Sequence, residues 1–223
     1  MIQKFRSAWA YRDFIISSIL TEQRVRFAGS KLGGLWMLLH PLLEVSMYAL
    51  ILSSLMSSRV PGVSGPFSYA IYLTAGTVAW SLFSEIVNRC LNVFNSNAHL
   101  LKKIAFPAMC LPLITAGSAL LSNLLLLAAV TIIFGLGGHL PSIQMLVLPL
   151  LVISTVALGL GLGLILGTLN VFIRDVGQIM PVVLQFCFWF TPIVYSIQII
   201  PASYRWVYKF NPMYYIVSAY QEV

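Results

Sequence analysis

The sequence predicts an all-α integral membrane protein: a helical bundle of five spans, led by an amphipathic interface helix, with the N-terminus in the cytoplasm. Three observations predict it. Hydrophobic residues fill 59% of 223 positions and charged residues only 9%, against roughly 25% charge in a soluble domain. So few charges cannot cover a water-facing surface. Second, five apolar runs (32–56, 69–87, 106–134, 143–169 and 177–197) approach or exceed the ~20 residues that cross a ~30 Å hydrocarbon core. Lipid satisfies no open backbone amide, and the period-2 alternation of a membrane barrel is absent, so these runs are helices. Third, basic residues alternate in density. Lys4, Arg6, Arg12, Arg24, Arg26 and Lys31 precede run one; Arg89, Lys102 and Lys103 separate runs two and three; Arg174 separates runs four and five. The other side carries Arg59, Arg205 and Lys209. Lys/Arg-rich short loops stay inside.

Residues 1–31 form the first domain. Ile15, Ile16, Ile19, Leu20 and Phe27 project to one side and Ser17, Ser18, Thr21 and Arg24 to the other, with Gln23 and Arg26 breaking the pattern. This is a helix lying in the cytoplasmic interface, with a break near Asp13, or one packed on a partner protein.

Residues 32–197 form the membrane domain. Run one places Glu44 near mid-membrane, either as a functional group or as a hydrogen-bonded glue between helices. The Pro/Gly stretch 57–68 is an outer loop. At the inner end of run two, Glu85 and Arg89 are spaced to pair. "NVFNSNAHLLKKIAFP" is then a polar insert in which Ser96 or Asn97 caps a short helix ending at Lys102 and Lys103. Its Leu100 and Leu101 invite a cytoplasmic partner. Run three holds Asn123, which with Gln185 of run five reads as an interhelical hydrogen-bond partner. Run four spaces Gly159, Gly163 and Gly167 four apart. That stripe permits close helix packing or a sliding or dimerising surface.

Residues 170–175 are a tight cytoplasmic turn with Arg174 on the inside and Asp175 placed to cap the next helix. Run five contains "QFCFWFTPIVY", kinked by Pro192. Its aromatics, Trp189 and Tyr195 among them, face lipid or line a path for sugars. Residues 198–223 are an aromatic-rich, extracytoplasmic segment at headgroup level.

Several classes are excluded. "FAGSKLGG" lacks the spacing of a phosphate loop, and His40, His99 and His139 are too scattered for a metal cluster. No nucleophile with its base and orienter can be assembled. The net charge of +7 is spread along one membrane face, which suits anionic headgroups rather than nucleic acid. Cys90, Cys110 and Cys187 read as free thiols packed as small apolar groups.

Four stretches, "FAGSKLGGLWMLLHPLLEVSMYAL", "HLLKKIAFPAMCLP", "LNVFIRDVGQIMPVVLQFCFWFTPIVY" and "FNPMYYIVSAYQEV", occur in an order that resembles the permease subunit of ATP-binding-cassette exporters for cell-surface polysaccharides. The resemblance implies a homodimer in the bacterial inner membrane that moves a lipid-linked glycan of the O-antigen, capsule or teichoic acid type. It implies two copies of a separate ATPase, with ATP and Mg on that partner and no cofactor on this chain. Residues 95–104 would be the coupling helix, with Asn97, His99, Leu100, Leu101, Lys102 and Lys103 touching the ATPase. Residues 1–31 would be the interface helix. Glu44, Tyr48, Phe83, Gln185, Trp189 and Tyr195 would line the channel. The family has six crossings and both ends inside, so a sixth span is expected after residue 223. Competing readings are a gradient-driven transporter or channel, an exporter of a drug or lipid, an intramembrane transferase and a scaffold. The first lacks paired intramembrane carboxylates and an internal repeat; the transferase lacks acids clustered at one face.

Overall fold

The computed structural model describes residues 11–26, 31–36, 39, 42–43, 46–47, 66–99, 108–136 and 143–222. Among them there are helices and turns only: α1 (Arg12–Arg26), α2 (Pro66–Ser96), α3 (Cys110–Leu136), α4 (Leu148–Phe172), α5 (Asp175–Phe190) and α6 (Pro212–Glu222). Short 3-10 turns cover Gly33–Leu35, Ile143–Val147, Ile197–Ile199 and Ala202–Phe210. Three helices are long and apolar enough to cross a membrane, at Tyr69–Ser96, Cys110–Gly135 and Gln144–Phe172; α5 is apolar but shorter. Most of run one, with Glu44 and Tyr48, lies outside the described residues.

Prolines set several helix starts. Pro66, Pro112, Pro149 and Pro212 each sit in the first turn of α2, α3, α4 and α6, where a missing N–H costs no intrahelical bond. Hydroxyls inside the apolar helices are satisfied on their own backbone: Thr77 bonds Leu73 O at 2.8 Å, Thr155 bonds Leu151 O at 2.8 Å, and Ser154 bonds Leu150 O at 2.9 Å. That makes them tolerable without water.

Two boundaries differ from the sequence reading. The polar "NVFNSN" does not begin a new helix; α2 continues through it to Ser96. At 31 residues α2 is about 46 Å long, beyond the ~30 Å of the hydrocarbon core. Asn97 stands in the turn after α2, where its Nδ2 donates to Val93 O at 2.9 Å, one of the carbonyls a helix C-terminus leaves open, and helical backbone resumes at Ala98 and His99. Pro192, in turn, terminates rather than kinks, because α5 ends at Phe190 and a proline just past the end cannot continue it.

The chain divides into two compact units. Unit 1 comprises residues 1–34, 82–122 and 156–182. Here α1 does not simply lie with an apolar face on the bilayer. Ile15, Ser18, Ile19, Glu22 and Gln23 are half-buried, at helical spacing, while Ile16 and Leu20 are exposed. Gln23 Nε2 donates to Ser118 O at 2.7 Å, Ser118 Oγ at 2.9 Å and Ser122 Oγ at 3.0 Å on α3. The side chain of Ile19 seats on Gly117, where any larger residue would meet it. Residues that break the apolar periodicity dock the helix alongside Ile19.

Unit 2 comprises residues 35–81, 123–155 and 183–223. Its core holds the non-helical segment after α5, with Thr191, Pro192, Ile193, Val194 and Ser196 buried. Such backbone survives at membrane depth only when protein satisfies it, and here side chains do. Tyr69 Oη donates to Val194 O at 2.9 Å and Tyr72 Oη to Tyr195 O at 3.4 Å. Gln221 Nε2, on α6, reaches Ile193 O at 3.2 Å and Pro192 O at 3.4 Å. Asn211 Nδ2 donates to Thr191 Oγ1 at 3.0 Å while its Oδ1 accepts the Met213 N–H at 3.0 Å. Asn123 crosses from α3 to donate to Val78 O on α2 at 3.0 Å. Residues 212–222 thus pack into the core of unit 2, burying Met213, Val217 and Tyr220. Tyr69→Phe leaves the Val194 carbonyl without its donor and should cost about 1–2 kcal/mol, read as a lowered unfolding midpoint in detergent.

Candidate functional site

The charged residues of unit 1 gather between α1 and the inner turns of α2, where the sequence spaces Glu85 and Arg89 to pair. Glu85 and Arg89 pair at 3.3 Å, one helical turn apart. Two residues of α1 complete a four-membered charge network: Arg26 Nη1 lies 2.7 Å from Glu85 Oε1, and Arg89 pairs with Glu22. Signs alternate across the two helices, so no like charges need be held together. The carboxylates and Arg89 are partly desolvated, whereas the Arg26 side chain is 44% exposed. Arg26→Ala should therefore cost under about 1 kcal/mol. Arg89→Ala, which strands Glu22 and loosens Glu85, should cost about 1–2 kcal/mol, below the cost of breaking a fully buried pair. Comparing the two denaturation midpoints checks the order.

The polar turns of α2 are knotted to the junction between α4 and α5 by Asn170, which the sequence reading placed in the turn 170–175 and which instead lies in α4, since that helix runs on to Phe172. Asn170 is only 2% exposed. Its Nδ2 donates to Leu91 O at 2.9 Å and to Asn92 Oδ1 at 3.2 Å; its Oδ1 accepts the Gly177 N–H at 2.9 Å. Its own carbonyl accepts from Asn95 Nδ2 at 3.2 Å. Asn170 thus caps the first turn of α5 and locks two helices onto a third. Arg174 and the exposed Asp175 sit in the two-residue turn and first helical turn beside it. A signal for Asn170 existed: it is the one amide at the end of an otherwise uncharged run.

Gly159, Gly163 and Gly167 are buried against α2 of the same chain. A methyl at Gly159 would come within 3.2 Å of Ile86 Cβ; at Gly163, within 2.7 Å of Cys90 Cβ; at Gly167, it would fall on the Cys90 carbonyl oxygen. The stripe brings α4 down onto α2 until side-chain thickness disappears. Cys90 and Cys110 are buried and Cys187 exposed, all three as free thiols.

Of the segment expected to meet a partner, Asn97 lies in the turn after α2 and His99 in the helical residues that follow it, while Leu100, Leu101, Lys102 and Lys103 fall outside the described residues. Among the residues expected to line a channel, Phe83 is buried within the chain, Gln185 and Trp189 are exposed on α5, and Tyr195 is half-buried. Gln185 bonds no other helix among the described residues. In unit 2 an edge-to-face stack runs from Trp80 to Phe188 (centroids 5.8 Å) and on to Trp189 (5.5 Å). Tyr195 Oη donates to Trp189 O at 2.6 Å and lies 3.4 Å from Tyr208 Oη. Trp189 is thus held from behind while 47% of it stays exposed. Among the described residues no three His, Cys, Asp or Glu side chains converge as a metal site would require.

Large apolar side chains remain uncovered on α4 and α5, including Leu150, Ile153, Ile165, Phe172, Val182 and Phe186. Only 17% of the most apolar stretch of α4 is buried, against 61% for α2. Apolar surface of that extent faces lipid or another protein.

Comparison with known proteins agrees with this architecture. The family described as ABC-2 type transporter matches residues 15–223. The chain is 28% identical to the O-antigen export system permease protein RfbA of Myxococcus xanthus, covering 100% of this chain and 84% of that one. It is 27% identical to the RfbA of Klebsiella pneumoniae, covering 95% and 80%. It is 26% identical to the polysialic acid transport protein KpsM of Escherichia coli, covering 97% and 83%. With the family pattern running through α1 and every span described above, the chain is a multi-pass membrane protein that belongs to the ABC-2 type transporter family.

Proposed function

We propose that this chain is the membrane subunit of an ATP-driven exporter that carries a lipid-linked, O-antigen-like polysaccharide across the bacterial inner membrane. The observation that supports this most is the likeness, over nearly the whole chain, to relatives named for O-antigen export and polysialic acid transport. Two copies form the conduit, and each binds one separate ATPase that holds the ATP and Mg. The ATPase grips residues 97–103, which follow α2 in the sequence. Because α2 is a continuous helix of 31 residues, a push on its C-terminal end is delivered along its length without being absorbed at a break. The charge network carries the same push to α1 and the Asn170 knot to α4 and α5. ATP binding on the partner then favours one of two arrangements of the spans, a population shift driven by differential affinity. Glu44, Tyr48, Gln185, Trp189 and Tyr195 line the path, and the exposed face of Trp189 offers a surface on which the apolar side of a sugar ring stacks.

Purifying the protein together with its natural neighbours tests the assignment. An ATPase is expected to co-purify, and deleting this chain is expected to leave polysaccharide stranded inside the cell. Normal surface polysaccharide in the deletion strain would refute the substrate.

A further inference from the structure

A groove of about 790 Å³ runs along one flank of α1 where it meets the last turns of α2 and the first turns of α3, wholly within unit 1. Its size falls in the ~300–1,000 Å³ range of small-ligand sites. Phe14, Val25, Val93, Leu111 and Ile114 supply its apolar wall. Several of its polar side chains bond within the protein itself. Ser17 Oγ donates to Phe14 O at 3.0 Å, Thr115 Oγ1 to Leu111 O at 3.0 Å and Asn97 Nδ2 to Val93 O at 2.9 Å. Glu22, the one charged residue of the lining among the described residues, is neutralised by Arg89. The groove is open on one side and its lining is mostly apolar, so it suits a hydrocarbon better than a polar ligand. Left empty, it forfeits dispersion contacts along all three helices. In a bilayer the available filler with matching chemistry is a hydrocarbon chain.

We propose that this groove binds one acyl chain of an anionic membrane phospholipid. Transfer from lipid to groove gains nothing hydrophobic, since tails are as apolar as leucine; retention comes from filling the void and from charge. Arg24 supplies the charge. It is exposed, stands one helical turn beyond Thr21 of the groove lining, and makes no ion pair among the described residues. A phosphodiester anchored there places its chain between α1 and α3. The site is separate from the proposed glycan path and does not rest on the glycan reading.

The test uses the full chain with a benzoylphenylalanine at Ile114, reconstituted in vesicles of phosphatidylglycerol and phosphatidylcholine, exchanged into detergent and then irradiated. A second protein carries the probe at Ile165, an exposed position on α4. The expected result is a phospholipid adduct at position 114 that survives the exchange, favours phosphatidylglycerol about fivefold and loses that preference in Arg24→Ala; the adduct at 165 is washed out. Ser18→Phe, and independently Thr115→Phe, should fill the groove and remove the adduct at unchanged thermal stability. Equal retention at both positions, a polyprenyl adduct, a cross-link to residues 1–10 of the chain itself, or an adduct that persists in both filled variants would overturn the proposal.

Discussion

Replacing Gly167 with alanine is expected to destabilise the folded chain by about 3 kcal/mol, the upper end of what overpacking costs, while Gly161→Ala leaves it unchanged or slightly more stable. The two glycines lie on the same helix, six residues apart in sequence, yet face different surroundings. A methyl at Gly161 meets nothing within 4 Å, so alanine there only improves helix propensity. A methyl at Gly167 meets the backbone carbonyl of Cys90. A side chain would rotate away; a carbonyl in the middle of α2 cannot without giving up its helical hydrogen bond. The only relief is for α4 to lift from α2, which also pulls Asn170, three residues on, out of reach of Leu91 O and Asn92. Loss of fit at the glycine and loss of the buried knot therefore arrive together. Unfolding in mixed micelles, followed for the pair of variants, reads the difference; equal stability of the two would mean that α4 does not rest on α2 through this stripe.

The second large effect is functional. Changing Leu100 and Leu101 together to aspartate should abolish association with the ATPase while the protein still inserts and keeps its unfolding midpoint. Two carboxylates placed in an apolar groove of a partner must be desolvated without a matching cation, a penalty of several kcal/mol per ion. That is enough to turn a stable complex into one not recovered by affinity purification. The Asn170 knot and the charge network are built from other residues. Stability and association should for that reason separate cleanly. Retained association would move the contact elsewhere.

How much of this was legible in the residues differs between elements, for physical reasons. The apolar runs that became α2, α3 and α4 stand out because lipid demands about 20 uncharged residues and an internally bonded backbone. The family was legible in ordered stretches of mixed polar and aromatic character. The end of α2 was not: "NVFNSN" is polar because Asn92 and Asn95 are consumed by Asn170, and polarity alone does not reveal a partner seventy-odd residues away. The docking face of α1 was hidden for a related reason. Apolar periodicity found Ile15 and Ile19, which are half-buried, but not Glu22, nor Gln23 and Arg26, which spoil the period and yet fix α1 as well. Pro192 shows a third limit, since a proline either bends or ends a helix according to whether the carbonyls beyond it find other donors. Tyr69, Tyr72 and Gln221 supply those donors from distant parts of the chain. Phe83 and Trp189 were equivalent as aromatic residues in apolar runs; one is buried in the chain and the other is exposed, a distinction that only packing makes.

The account treats this protein as a conduit without an engine of its own. Proteoliposomes holding the purified chain alone, and the chain with its ATPase, should be supplied with ATP and a lipid-linked glycan. The prediction is no ATP hydrolysis and no glycan movement with the chain alone, and both once the ATPase is added. Glycan translocated by the chain alone, or by a complex that holds a single copy of it, would contradict the account.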